Sequence, residues 1–416
     1  MKSRREPRTP RHTVSRLAGL AALPLGLMIP AACASLSGLS DDRDAGSPDT
    51  GVKHVEAGSD ASTGHDVGTR KDAASHDAGR TDAGHPVDAG REAAVDAGPP
   101  ASCVAPGPGR TNCGADAGES CCTSLTVAAG TFQRAYTASD AGVSSAAASV
   151  SAFRLDKYPV TVGRFREFIQ ATNPSSGIGW APPVGSGKHG YLDAGALNAC
   201  PAGTGPDGGY EQGWLASFPF DPTPASVMVP PVPTYTLAPG ANENLPMNEV
   251  SWYVAYAFCI WDGGFLPTLT ELEYAAAGGN EQRLYPWGST PPQSAPNQYS
   301  IYGCHYPRAD ADIPDGDTCE DANNIAPVGT ARLGLGRWQQ LDLCGEITEW
   351  VLDKYEGAYV DSEWRDCAYL AGDAGRNFEG TSWALPFFTL PAARAIGGHV
   401  AGLGDPDVGI RCARAP

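Results

Sequence analysis

The sequence predicts an α+β fold, rich in loops, carried behind a disordered amino-terminal tether. Three observations lead there. Glycine (51) and proline (36) are abundant while long helical periodicities are few, which favours short elements joined by irregular backbone. Residues 34–102 hold no aromatic side chain and few large aliphatics, so they cannot bury enough apolar surface to offset the entropy of ordering. Of the twelve cysteines, eleven follow residue 100, the pattern of a domain cross-linked in an oxidising compartment.

The chain begins with a targeting segment. Arg4, Arg5, Arg8, Arg11 and Arg16 form a basic region ahead of the apolar stretch Leu17–Pro30. That stretch is too short to span a bilayer, which takes roughly 20 apolar residues. Ala31-Ala32-Cys33 places small residues where a signal peptidase cuts. One reading is a signal of the bacterial lipoprotein type over 1–33, with Cys33 lipidated and Ala34 directing the chain to the outer membrane. The other is ordinary cleavage near Ala32, leaving a periplasmic or secreted protein. Residues 34–102 follow as linker, with Asp-Ala-Gly recurring irregularly at Asp44, Asp77, Asp82, Asp88 and Asp96. Glycine keeps such a segment flexible and aspartate keeps it solvated.

A net charge of −18 argues against nucleic acid as a partner, because phosphate binding needs clustered Lys and Arg. It also argues against adsorption to an anionic lipid surface, so any membrane contact is through the lipid anchor.

Residues 103–124 form a Cys-rich junction. Cys103, Cys113, Cys121 and Cys122 crowd it, and separate structural pairings of the vicinal Cys121 and Cys122 explain it better than a redox device. The domain proper covers 125–416. Val127–Arg134 and Ser149–Leu155 read as strands. Thr161 is an N-cap for a helix whose apolar face is Val162, Phe165, Phe168 and Ile169, stopped by Asn173-Pro174. Residues 174–245 have little periodicity; Trp180, Tyr191, Tyr210, Trp214 and Phe218 there either fill a core under long loops or form a ligand shelf. A second helix puts Trp252, Ala255, Tyr256, Cys259 and Ile260 on one face. Thr268 with Glu271 makes a capping box for a third, and Gly278 takes the left-handed position that ends it. Glu271 and Glu273 lie two apart, point away from one another, and read as capping and surface residues rather than an acid–base pair.

These segments together resemble the formylglycine-generating enzyme, or sulfatase-modifying factor, family. Lys157-Tyr158-Pro159-Val160-Thr161, Leu245-Pro246-Met247-Asn248-Glu249-Val250-Ser251-Trp252, Leu266-Pro267-Thr268 with Glu271, and Tyr285-Pro286-Trp287-Gly288 match its motifs in order. So do Pro327-Val328-Gly329, Gly345-Glu346-Ile347-Thr348-Glu349-Trp350, and Gly397-Gly398 followed by Gly409-Ile410-Arg411-Cys412-Ala413. The resemblance spans about residues 125–415. It implies a C-type-lectin-like variant fold with small sheets, short helices and much irregular backbone.

Family enzymes oxidise a client cysteine to formylglycine with oxygen and a copper ion held by two cysteines. The resemblance places those thiolates between Gly398 and Gly409, where 399–408 contains no cysteine. A soft Cu(I) ion needs thiolates, and His399 is a poor substitute, so copper is not expected and no catalytic residue carries over. Phe265 also replaces an Arg, Leu272 a Trp, and Glu346 and Thr348 an Asn and a Trp of the family pattern. The His-rich iron domain of a related sulfur–histidine-bond-forming subfamily is absent from the sequence. The resemblance implies two calcium ligand sets, one at Asn297 and Gln298, the other at Gly345, Ile347 and Glu349. It also implies a Cys259–Cys412 disulfide; Cys304–Cys319 and Cys344–Cys367 are further expectations without family support. The function expected is that of an exported, non-catalytic module binding a protein or glycan ligand through 174–245. An active oxidase using other cysteines and a structural envelope protein are the alternatives.

Overall fold

The computed structural model describes residues 98–114, 116–134, 146–173, 175, 179–200, 203–205, 208–307, 322–355, 363–372, 375–386 and 395–416. The leader with Cys33, the tether up to residue 97, and Cys319 lie outside the described residues.

Four strands open the domain: β1 (Ser124–Val127), β2 (Gly130–Gln133), β3 (Ala147–Val150) and β4 (Phe153–Asp156). The sequence predicts two longer strands here, and the chain instead bends at Ala128–Ala129 and at Ser151–Ala152. β1 pairs antiparallel with β4, and β2 with β3, as ladders of different sheets. Each bend is held by a side chain distant in sequence. The Ser151 amide and hydroxyl both donate to the Asp366 carboxylate, at 2.6 and 2.8 Å, which withdraws that residue from the ladder. The Tyr274 hydroxyl donates to the Ala128 carbonyl at the opposite bend.

Helix α1 (Val162–Thr172) starts where predicted, with the Thr161 hydroxyl accepting from the Arg164 amide. Its buried Phe165 and Phe168 pack on Phe258, with ring centroids 5.9 and 5.5 Å apart. The insertion contributes β5 (Asn198–Ala199) and one turn, α2 (Pro224–Val227). Helix α3 (Trp252–Trp261) is capped by Ser251. The sequence predicts one apolar face for it. The structure buries Val254, Ala257 and Phe258 as well, while Ile260 is only half-buried, so α3 is the central helix, enclosed nearly all round. Helix α4 (Leu269–Ala276) carries the predicted capping box, and Gly278 follows it at φ 66°. Glu271 and Glu273 are both buried, which corrects the surface role expected of them.

Strands β6 (Thr348–Lys354), β7 (Trp364–Arg365), β8 (Cys367–Ala368), β9 (Arg376–Glu379), β10 (Ala395–His399), β11 (Val408–Gly409) and β12 (Ala413–Arg414) complete the domain. The largest sheet runs β10-β9-β6-β11; the others are β1-β4-β12, β2-β3-β7 and the pair β5-β8. The two motif tryptophans lock α3 to β6 reciprocally. Trp252 Nε1 donates to the Val351 carbonyl and Trp350 Nε1 to the Val250 carbonyl, both at 2.8 Å. Each indole therefore buries a large apolar surface with its one donor satisfied.

Disulfides fix the periphery. Cys103–Cys122 and Cys113–Cys121 staple the junction as separate pairings, and Cys259–Cys412 joins α3 to the carboxyl-terminal segment. Cys367 bonds Cys200 of the insertion rather than Cys344, which stays a buried free thiol; the expectation of Cys344–Cys367 is corrected. Pairing β5 beside β8 puts Cys200 and Cys367 at a Cα separation of 5.5 Å, within bridging distance. Cys304 is disulfide-bonded too. Four disulfides among the described residues are the mark of an oxidising, exported environment. No described helix is long and apolar enough to cross a membrane.

Two buried charge networks tie the termini of the domain to its centre. Arg164 (α1) and Arg414 (β12) alternate with Asp156 (β4) and Asp262 (the end of α3) at 2.6–3.0 Å. The junction joins this ring: the Ser102 amide donates to Asp262, and the Ser102 hydroxyl accepts from Arg164 Nε. Arg411 donates to both oxygens of Glu349 and to the carbonyls of Asp156, Lys157, Leu341 and Asp342.

Candidate functional site

Residues 399–408, where the family resemblance places the copper thiolates, form a tight connection from β10 to β11. A Cβ at Gly404 would collide with the Glu249 backbone, and one at Gly409 would come 2.6 Å from the Met247 carbonyl. The segment is pressed against the strand-like entry to α3, and its His399 pairs with Asp405 at 3.4 Å. Nine described cysteines are in disulfides, and the remaining one, Cys344, is fully buried. Burial pushes the Cys344 thiol well above its usual range, and the nearby Glu379 and Glu349 carboxyls add to this. Among the described residues no pair of thiols converges, so the donor set does not fit Cu(I).

The two expected calcium sets meet competing partners. Glu349 commits both carboxylate oxygens to Arg411, at 2.8 and 2.9 Å, so a divalent cation there would stand against a guanidinium. The Gly345 carbonyl already accepts from the Ile347 amide. Asn297 is buried at φ 58°, and the Gln298 carbonyl accepts from the Leu333 amide at 2.7 Å. The two sets lie in different parts of the chain. A calcium ion at either would need six to eight oxygens, so carbonyls or waters beyond these residues would have to join.

The built concavity lies beside α3. It has a volume of about 300 Å³ and opens between the first two turns of α3, the start of β9 and the residues following Glu211. Phe218, Trp252, Tyr253 and Tyr256 supply its aromatic walls. Phe218 stands edge-on to Trp252 with centroids 5.7 Å apart. The Tyr256 hydroxyl donates to the Gly187 carbonyl at 3.1 Å, which fixes the ring. Arg376 lays its guanidinium on the Trp252 ring, 3.6 Å from the centroid, and donates from Nη1 to the Leu352 carbonyl at 2.7 Å. Burial lowers its pKa to about 10, opposed in part by Tyr253, Tyr256 and Asp353.

Behind one wall sits a second unpredicted feature. His189 is fully buried between Glu211 and Glu271, at 3.1 and 3.2 Å. Burial alone would discharge the imidazole; the two carboxylates override it and raise its pKa to about 10. Burial would likewise raise Glu211, but the imidazolium and the backbone amides of Leu197 and His189 hold it below the usual range. The His189 ring lies 4.0 Å from that of Phe265.

The insertion contributes less to the cavity than the sequence suggests. Trp214 is buried in the core, and Trp180 packs against it. Tyr191 stacks on Phe265. Tyr210 is 40% exposed and lies outside the cavity. Glu211 to Gly213, Leu215 and Phe218 are the part that reaches it. Sequence reasoning missed Arg376 and Tyr253, because nothing in Arg376-Asn377-Phe378-Glu379 distinguishes this arginine from a surface one.

Residues 110–416 match the family described as the sulfatase-modifying factor enzyme 1-like domain. The inactive C-alpha-formylglycine-generating enzyme 2 of Bos taurus is 34% identical over 125 residues, which cover 29% of this chain and 38% of that protein. The formylglycine-generating enzyme of Thermomonospora curvata is 27% identical over 235 residues, 51% of this chain and 64% of that enzyme. The matched region therefore spans less than two thirds of either relative. Among solved structures, PvdO from Pseudomonas aeruginosa aligns over 75% of this chain and 100% of its own, with a TM-score of 0.40 and 16% identity.

Proposed function

The chain belongs to the sulfatase-modifying factor family, and within it we propose a non-catalytic domain that binds a ligand in the cavity beside α3. The observation that carries this reading is the state of the cysteines. The stretch 399–408 has none, and Cys344, the one described free thiol, is buried alone. A relative carrying the word inactive in its name is 34% identical to this chain over 125 residues, which supports the reading. What the scaffold retains is the part a binding protein needs: locked indoles, a preformed cavity and a rigid frame.

The test uses the purified domain with Cu(I), oxygen and a Cys-x-Pro-x-Arg peptide. The cysteine is expected to persist in the mass spectrum of the peptide, and copper-dependent formylglycine would overturn the reading. Export is part of the proposal: lipidation at Cys33 would hold the domain at the outer membrane on its tether. Cys33→Ala should then move the protein from the membrane to the soluble fraction, and an unchanged membrane fraction would refute the anchor.

A further inference from the structure

We propose that the cavity beside α3, as the binding site of the reading above on which this inference rests, takes a small carboxylate on a ring or apolar body and receives it on Arg376. Stacking on Trp252 fixes the guanidinium plane, and the Leu352 carbonyl occupies Nη1. The edge formed by Nε and Nη2 is left. Two parallel N–H donors in one plane are the geometry that a carboxylate accepts bidentately. Among the described residues neither donor has a protein acceptor, and Arg376 makes no ion pair.

The described acids nearby are engaged elsewhere. Glu211 lines the cavity but is paired with His189. Asp353 accepts from the amides of Leu269 and Tyr369, both at 2.7 Å. Lys354, the other cation lining the cavity, donates to the Gly372 carbonyl. Among the described residues, Arg376 is thus left without a carboxylate of its own in a chain of net charge −18. A cation in a half-buried aromatic site without a counter-charge is what an incoming carboxylate would complete. Phe218, Tyr253 and Tyr256 offer ring faces and edges to the body of the ligand, and a volume of about 300 Å³ suits one ring rather than a chain.

The experiment is calorimetric titration of the full mature protein with two matched pairs, glucuronate against glucose and benzoate against benzyl alcohol. At least one carboxylate is expected to bind at least about tenfold tighter than its neutral counterpart, the lower end of what a hydrogen bond to a charged group contributes. Whichever pair responds tells an acidic sugar from an aromatic acid. Arg376→Gln should lower the carboxylate affinity roughly ten- to hundredfold and leave the neutral probe unchanged. Equal binding within both pairs, no binding by either carboxylate, or unchanged affinity in a folded Arg376→Gln protein would each overturn the proposal. If that variant does not fold, the paired probes on the unmodified protein decide. Neutral probes binding without carboxylate preference would sink this inference alone, whereas formylglycine production would sink the non-catalytic reading.

Discussion

Replacing His189 with leucine removes one buried cation from between two buried carboxylates. Glu211 would keep the amides of His189 and Leu197, at 2.6 and 2.9 Å, and Glu271 the Thr268 amide at 2.8 Å and the Tyr191 hydroxyl at 3.3 Å. Both would lose the only opposing charge in direct contact. Breaking a buried ion pair by deleting one partner costs about 3–5 kcal/mol, and that is the expected loss near pH 6. The pH dependence carries a sign. The folded pKa of His189 is about 10 against 6.5 for an unperturbed imidazole, so its contribution is full below about 6.5 and is lost as pH rises through 10. Urea unfolding with disulfides intact, followed by tryptophan fluorescence at several pH values, should show the wild type approaching the variant between pH 7 and 10. A gap that stays constant across that range would refute a charged His189.

Two further predictions concern buried charge and metal. Asp262→Asn should destabilise the protein by about 3 kcal/mol or more, because Arg164 and Arg414 would both face a neutral amide in a site closed to water; denaturant titration checks it, and a loss below about 1 kcal/mol would show the ring to be redundant. Thermal unfolding in calcium and in a chelator should coincide, because Arg411 already holds Glu349; a chelator-dependent fall in Tm would show that the cation displaces it.

What the sequence made legible was local chemistry. The caps at Thr161 and Thr268 depend on neighbours three residues away, and both form as read. The left-handed Gly278 follows from the helix end before it. The motif resemblance carried one longer distance: the cysteines at 259 and 412 meet across a separation of 153 residues. Where neither local pattern nor motif reached, the reading failed for one physical reason. The strand break at Ser151 involves Asp366, 215 residues further on, and the one at Ala128 involves Tyr274, 146 residues further on. His189 finds Glu271 from 82 residues away, and Arg376 finds Trp252 from the far side of β6. A charged side chain chooses its partner in space, and single-residue pairings of this kind leave no period in the sequence.

The position of the arginines in β12 and just before it sets an order of assembly. Arg411, Cys412 and Arg414 supply the guanidiniums for Glu349, Asp156 and Asp262 and the sulfur for Cys259. In a polypeptide delivered amino terminus first, those acids and that thiol emerge long before their partners. Until residues 411–414 arrive, Glu349 lacks its guanidinium, Asp156 and Asp262 share Arg164 alone, and Cys259 lacks its disulfide partner.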